Sequence, residues 1–466
     1  MVRGFLERFL SHPADRVALR LDADVAGDGP RTISYGGLWR RGAGAAGRLR
    51  ELGVVAGDRV AIQLENSLDL LDAHLGCMAL GAVRVPLNAH YKAAELRPIL
   101  DDAAPTLVVA RDPARLPPGA RHVPRLEPGT PVDAWPSAGP TALLFTSGTT
   151  GRAKGVPQTW EMWATNLDAL EDRWRLSPDD RLRLVLPLFH THGLVVGLHG
   201  VWLRGACADV GARFEPGALA PGVTHFYGVP TYYHRWLPSL TREHLPDVRL
   251  LVSGSDGLGA AVSDAVHAAT GHRILERYGM TETVMITSNP FDGPRRAGTV
   301  GTPLGGVDVR IVADEVQVRG PSVFGGYWPH ADPGAFTADG WFRTGDAGAW
   351  DPDGYLRIVG RQKDLVIVGG VNVSPAEVEA VLREVAGVAE VGVCGLPDAD
   401  LGEIVAAAVV LANGARPEDV TRAIDRAAAE LSGLKRPKRL AFVSALPRSP
   451  LGKLMRARLR AEAFGE

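Results

Sequence analysis

A chain of 466 residues with 45% apolar and 22% charged residues and a formal net charge of −2 has the make-up of an ordinary globular protein with three domains or two unequal ones. That balance excludes global disorder and offers no bulk attraction for nucleic acid or an anionic membrane. Three widely spaced cysteines, Cys77, Cys207 and Cys394, exclude a disulfide framework and a Cys-rich zinc site and fit a reducing cytoplasm.

Arg3, Glu7 and Arg8 interrupt the first apolar segment and spoil a secretory signal. Leu38–Leu52, Val60–Leu64, Leu68–Leu80 and Val83–Pro86 alternate helix-like and strand-like patterns, which predicts an α/β layer around a buried parallel sheet. Thr106–Ala110 reads as a strand followed by a Pro- and Gly-rich loop, and Thr141–Phe145 as a strand. The helix that follows carries Trp163, Leu167, Leu170 and Trp174 on one face. Further strands are expected at Leu182–Leu186, Ala206–Val210, His225–Gly228 and Leu250–Ser253. Leu194–Leu203, broken by His199, is too short to span a bilayer.

Composition changes near residue 360. Ser374-Pro375-Ala376-Glu377 is a capping box with proline at the first helical position. Strands at Ala389–Val393, Ile404–Leu411 and Arg439–Val443 and a helix at Pro417–Leu431 complete a small α+β unit. The division is therefore placed as residues 1–360 and 361–466.

Of 51 basic residues only six are lysine: Lys92, Lys154, Lys363, Lys435, Lys438 and Lys453. Arginine cannot replace a compact ammonium in a tight site, so a retained lysine is informative. Thr146-Ser-Gly-Thr-Thr-Gly-Arg-Ala-Lys-Gly155 follows a strand with hydroxyls, glycines and one lysine, groups that suit phosphate oxygens. Its order, Ala153-Lys154-Gly155, is not that of a Walker loop.

This string resembles the phosphate loop of the adenylate-forming family of acyl-CoA synthetases, luciferases and peptide-synthetase adenylation domains. Four more stretches follow in the family's order. They are Tyr278-Gly-Met-Thr-Glu-Thr283, Gly340-Trp-Phe-Arg-Thr-Gly-Asp346, Gly360-Arg-Gln-Lys-Asp364 with Gly369-Gly370, and Pro447-Arg-Ser-Pro-Leu-Gly-Lys453. The resemblance implies a large N-terminal α/β domain with layered sheets and a small mobile C-terminal α+β domain. It also implies ATP, Mg²⁺ and coenzyme A as reactants and a small carboxylic acid as the substrate.

Residue by residue, it implies that Thr146, Ser147, Gly148, Thr149, Thr150, Gly151 and Lys154 hold the phosphates. Ser255, Asp256, Arg277, Tyr278, Gly279 and Met280 then flank the nucleotide, Thr281 contacts the α-phosphate, and Glu282 with Ser147 holds the metal. Asp346 takes the ribose hydroxyls with Arg361 beside it, and Lys453 bridges the attacking carboxylate and the α-phosphate. Lys363 falls at the hinge, and Gly369 and Gly370 face the CoA channel. Taken alone, Asp346 reads as a turn residue and Glu282 as an acid in a helix's first turn.

The acid pocket corresponds to His190, Thr191, Arg235, Ser253 and Met285. The strings around them, PLFHTHGL, YGVPTYYHRW and LVSGS, resemble malonyl-CoA and methylmalonyl-CoA synthetases. A second carboxylate buried unpaired is costly, and Arg235, at the start of an expected helix, offers a bidentate fork. Asp256-Gly257, Ile286, Trp160 and a shortened Ile311–Val318 hairpin depart from that pattern. Rival expectations are a ligase for another short or aromatic acid, or a stand-alone adenylation enzyme loading a carrier protein. The end of the chain soon after Lys453 favours free CoA. Lys453 is also an expected target of a protein lysine acyltransferase.

Overall fold

Short apolar runs bounded by glycine and proline become buried strands, and runs with helical spacing cover them. The computed structural model describes residues 4–132, 134–136, 139–146, 153–369, 371–429, 431–448 and 454–466, the side chains of Lys363 and Asn372 excepted. The chain is α/β and divides into two units, Met1–Val309 with Val318–Phe342, and Arg310–Gln317 with Arg343–Glu466.

The large unit holds two sheets. One has six strands in the spatial order His122–Val123, Leu107–Ala110, Arg59–Gln63, Val83–Pro86, Pro140–Thr146 and Lys154–Thr159. The helix Leu68–Leu80 beside it starts where Ser67 Oγ accepts from Leu70 N and stops at Gly81, whose φ of 79° is left-handed. The other sheet has nine strands and a parallel centre of Leu275–Met280, Leu250–Ser253, His225–Gly228, Arg181–Leu184 and Cys207–Val210. The carboxyl ends of its strands carry Ser253 and the Tyr278–Met280 stretch, the usual place for ligands in open α/β sheets.

A short helix, Phe5–Ser11, has no counterpart among the sequence expectations. Phe5 stacks on Trp160 with centroids 5.0 Å apart and Phe9 packs on Trp202 at 5.4 Å. Arg8 pairs with Asp168 and, at 3.1 Å, with the buried Glu171, which Arg204 also approaches at 3.4 Å. Burial pushes the Glu171 carboxyl up to about 7 despite both arginines.

In the small unit Phe342–Trp350 pairs antiparallel with Leu356–Arg361, and Glu315–Arg319 lies beside them. Asp308–Val312 and Glu315–Arg319 are joined by Ala313 and Asp314 alone, both at positive φ of 48° and 64°. A second sheet, with helices Pro375–Arg383 and Pro417–Ala428, closes a core of Val366, Val378, Leu382, Val393, Val409 and Ile424. Ser374 Oγ accepts from Glu377 N at 3.4 Å, the N-cap half of the expected capping box, while Glu377 Oε1 accepts from Lys435 Nζ at 2.6 Å. The unit takes in Arg310–Gln317 and the chain from Arg343 onward, where Asp346 and Arg361 are register partners of one hairpin. No helix among the described residues is long and apolar enough to cross a membrane.

Candidate active site

The strands Pro140–Thr146 and Lys154–Thr159 form an antiparallel hairpin with Thr146 opposite Lys154. Thr146 Oγ1 donates to the Lys154 carbonyl at 3.5 Å. Ser147, Gly148, Thr149, Thr150 and Gly151, between them, lie outside the described residues. The Lys154 ammonium sits 2.7 Å from Asp332 Oδ2 and 4.6 Å from the centre of the Tyr327 ring. Tyr327 Oη in turn donates to Glu282 Oε1 at 2.9 Å. A cation and a buried carboxylate are thus linked through one phenol.

Thr281 and Glu282 occupy the turn between the antiparallel strands Leu275–Met280 and Val284–Ser288, so Glu282 is a hairpin acid and not a helix acid. The turn is tight. A Cβ at Gly279 would lie 2.1 Å from the Val284 carbonyl oxygen, and Val284 itself has a φ of 60°, rare for a β-branched residue. Gln158 fixes the turn from below. Its Nε2 donates to the Thr281 carbonyl at 2.5 Å, while its Oε1 accepts from Trp163 Nε1 at 2.7 Å. Asn166 holds Met285 at both backbone groups, at 2.7 and 3.1 Å.

Arg277, Ser253, Thr191, His192 and Tyr227 are buried together beside this turn. The Arg277 guanidinium lies directly under Gly254, where a Cβ would come within 2.3 Å of its central carbon. Its Nε and Nη2, with Ser253 Oγ, Thr191 Oγ1 and His192 Nε2, have no hydrogen-bond partner among the described residues. Burial brings the Arg277 guanidinium down to about 9, with Tyr227 opposing, and holds His192 well below its ordinary value, Arg277 adding to the effect. A buried cation among unsatisfied donors is an arrangement that can receive an anion. Arg277, expected on the nucleotide side, thus shares its surroundings with the acid-side Ser253.

His190 is brought down to about 4 by burial and is a neutral imidazole at working pH. It lines a cavity of about 40 Å³ with Thr146, Phe145, Asn88 and Tyr91. Arg235 is exposed, near the end and not the start of the helix Pro230–Trp236, with its guanidinium 5.7 Å from the Phe214 ring centre. Ser255, at a φ of 72°, lies 3.4 Å from His192 Nδ1, and Asp256 Oδ1 accepts from Gly257 N. Tyr278 and Met280 are half-buried opposite Thr287 and Val284.

In the small unit Arg361 Nε pairs with Asp346 Oδ1 at 2.8 Å and its Nη1 donates to the Thr344 carbonyl at 3.1 Å. The two residues expected at one ribose are therefore adjacent. Lys363 falls in the turn Gln362–Asp364. Gly369, at a φ of 57°, donates its N–H to the Leu401 carbonyl at 2.8 Å, and Gly370 lies outside the described residues. Lys453, with the acylation expected there, also lies outside them. Its flanks are paired, Arg448 with Leu454, and Met455 N donates to the Pro447 carbonyl at 2.9 Å.

Sequence reasoning missed Gln158, Asn166, Tyr327 and Asp332, and gave Trp163 only as part of a helix face. Gln158 left no signal of its own, because polar Thr159 and Glu161 share its strand-to-helix run, Val156 to Trp163. Tyr327 and Asp332 sit in a Gly- and Pro-rich stretch with no periodicity to single them out.

The profile of the family described as AMP-binding enzyme matches residues 6–328, and that of the AMP-binding enzyme C-terminal domain matches residues 377–453. The malonate–CoA ligase of Arabidopsis thaliana is 31% identical, over 97% of this chain and 86% of its own. The sulfoacetate–CoA ligase of Cupriavidus necator is 34% identical, over 93% of each chain. The crystal structure of ATP-bound MatB from Rhodopseudomonas palustris superposes with a TM-score of 0.87 at 36% identity, over 99% of both chains.

Proposed function

The chain belongs to the AMP-binding enzyme family as an adenylate-forming acid–CoA ligase that uses ATP and CoA, and from that premise we propose that its acid is a short dicarboxylate, malonate or methylmalonate. The observation that carries this reading is Arg277, buried near Ser253, Thr191 and His192 with two nitrogens that have no partner among the described residues. One carboxylate of the acid reacts. The other needs a counter-ion, and a planar guanidinium meets it with two parallel hydrogen bonds. The two similar ligases named above act on acids with a second anionic group.

The proposed course begins with attack of the free carboxylate on the α-phosphorus of ATP. That gives acyl-adenylate and pyrophosphate, replacing an impossible oxide leaving group with AMP. The CoA thiol then attacks the acyl carbonyl and AMP departs. Two anions must meet in the first step, so the site has to neutralise charge. Thr146 and Lys154 take the β- and γ-phosphates, with Ser147, Gly148, Thr149, Thr150 and Gly151. Thr281, its carbonyl held by Gln158, keeps the α-phosphate in register for attack. Asp346, steadied by Arg361, accepts the ribose hydroxyls. Lys453 bridges the carboxylate and the α-phosphate. Mg²⁺ supplies charge neutralisation at the phosphates, and the buried Glu282 carboxylate, with Ser147, is a hard oxygen set that fits an ion keeping most of its waters. The small unit pivots at Lys363 between the half-reactions and presents Gly369 and Gly370 to the pantetheine arm. A cytoplasmic setting is supported by three free cysteines.

The test is CoA-dependent AMP release over malonate, methylmalonate, sulfoacetate, succinate, acetate, benzoate and octanoate. Malonate or methylmalonate is expected to exceed acetate and octanoate at least a hundredfold in kcat/KM. Octanoate or benzoate as the best substrate removes the dicarboxylate reading. A carrier protein that outcompetes CoA as acceptor replaces the free-CoA one.

A further inference from the structure

Resting on the reading of Lys154 as a phosphate-binding cation, we propose that Asp332 is an internal stand-in for the nucleotide's phosphates. Its carboxylate holds the Lys154 ammonium until the β- and γ-phosphates of ATP take it over, and recaptures it as pyrophosphate leaves.

Three features of the large unit carry this. Asp332 Oδ2 is 2.7 Å from Lys154 Nζ, the distance a phosphate oxygen would take. The carboxylate is held in that aim, because its Oδ1 accepts from Gly334 N at 3.0 Å and caps the short turn Pro333–Ala335. The ammonium, by contrast, has room to move. It borders a cavity of about 280 Å³ lined also by Asp102, Trp328, His330 and Asp332, and the Tyr327 ring beneath supports the cation without fixing its direction.

The pair is partly open to solvent, 27% for the lysine side chain and 37% for the aspartate. Such a pair adds little to fold stability and is easily exchanged. A carboxylate that remains on the ammonium repels an arriving polyphosphate, and one that is displaced has lost its partner. In either case Asp332 opposes occupation of Lys154 by the triphosphate tail. It also favours the exit of pyrophosphate, which binds through the same groups. Lys154 therefore never waits as a bare cation beside Glu282 and Tyr327, and holds its product less firmly than an uncontested lysine would. AMP lacks the β- and γ-phosphates and is indifferent to Asp332.

The experiment is isothermal titration of the full chain, without acid substrate, with ATP, with inorganic pyrophosphate and with AMP. Asp332→Asn keeps the capping oxygen and removes the charge. It is expected to bind ATP and pyrophosphate three- to tenfold more tightly and AMP as before, and Asp332→Ser gives the same signs. Pyrophosphate product inhibition strengthens in parallel. A merely structural role predicts the opposite, weaker binding of all three. Unchanged or weakened ATP binding in both variants overturns the proposal. Lys154→Met separates this from the underlying reading. It is expected to weaken ATP at least tenfold and to abolish the effect of Asp332→Asn. Lys154→Met that binds ATP like the unaltered chain refutes the phosphate role of Lys154 itself. Weakened Lys154→Met with a silent Asp332→Asn refutes the stand-in alone.

Discussion

Arg277→Met is the sharpest perturbation the structure offers, because stability and activity should move in opposite directions. Arg277 is 4% exposed and two of its nitrogens have no partner among the described residues. Burial brings it down to about 9, a cost of charging it there of about 5 kcal/mol. Replacing an uncompensated buried ion by an apolar chain of similar length is neutral or stabilising by about 1–3 kcal/mol, so the ligand-free variant should melt at the same or a higher temperature. The same change removes the counter-ion of the acid's second carboxylate, worth about 2–5 kcal/mol when that charge is left unpaired. Malonate kcat/KM is therefore expected to fall roughly 30- to 5,000-fold, and butyrate less than threefold. Arg235→Leu is the companion. Its guanidinium is exposed on Phe214, so solvent screening limits the loss for malonate to about tenfold. Thermal denaturation without ligand and AMP-release kinetics with both acids measure all of this. An Arg277→Met chain that unfolds several degrees earlier and loses malonate and butyrate equally would falsify the anion-site reasoning.

Gln158→Leu strands the Thr281 carbonyl and the Trp163 indole N–H together, so stability should drop by about 2–4 kcal/mol in a denaturant titration, with kcat falling more than KM rises. Glu276, pushed up to about 7 by burial although Gly298 N donates to it, holds in the folded state a proton that the unfolded chain releases near 4.5. Its contribution is complete below that pH and is lost as pH rises through 7. The melting temperature should thus decline from pH 5 to 8, by up to about 3 kcal/mol in free energy, and Glu276→Gln should flatten the decline. Lys453→Ala is expected to abolish pyrophosphate exchange yet convert supplied acyl-adenylate to thioester, and Lys363→Pro to do the reverse. Equal loss of both halves in both folded variants removes the two-orientation assignment.

Much of the frame was legible because its signals are local. Leu68–Leu80 and Val83–Pro86 stand where periodicity and the flanking Ser67 and Gly81 put them. The five motif strings named the residues proposed for the nucleotide, and the structure brings Thr146 to Lys154 and Asp346 to Arg361. What stayed hidden depends on contacts distant in sequence. Gln158 meets Thr281 across 123 residues and Lys154 meets Asp332 across 178. No window of sequence shows that Arg277 ends beneath a glycine 23 positions earlier. Arg235 illustrates the converse. A suggestive arginine in a suggestive string sits exposed, while the buried cation was one assigned to the nucleotide.

The strap formed by Phe5–Ser11 has a consequence for biosynthesis. Phe5 and Phe9 are buried by Trp160 and Trp202, and Arg8 finds Glu171 only 163 residues further along. At ribosomal speeds of roughly 5–20 residues per second, this aromatic helix waits roughly ten to forty seconds outside the exit tunnel before its seat exists. Throughout that interval it exposes an apolar face that a nascent-chain chaperone would have to shield. Slowing elongation between Arg8 and Trp202 should lower the soluble yield without altering the finished enzyme.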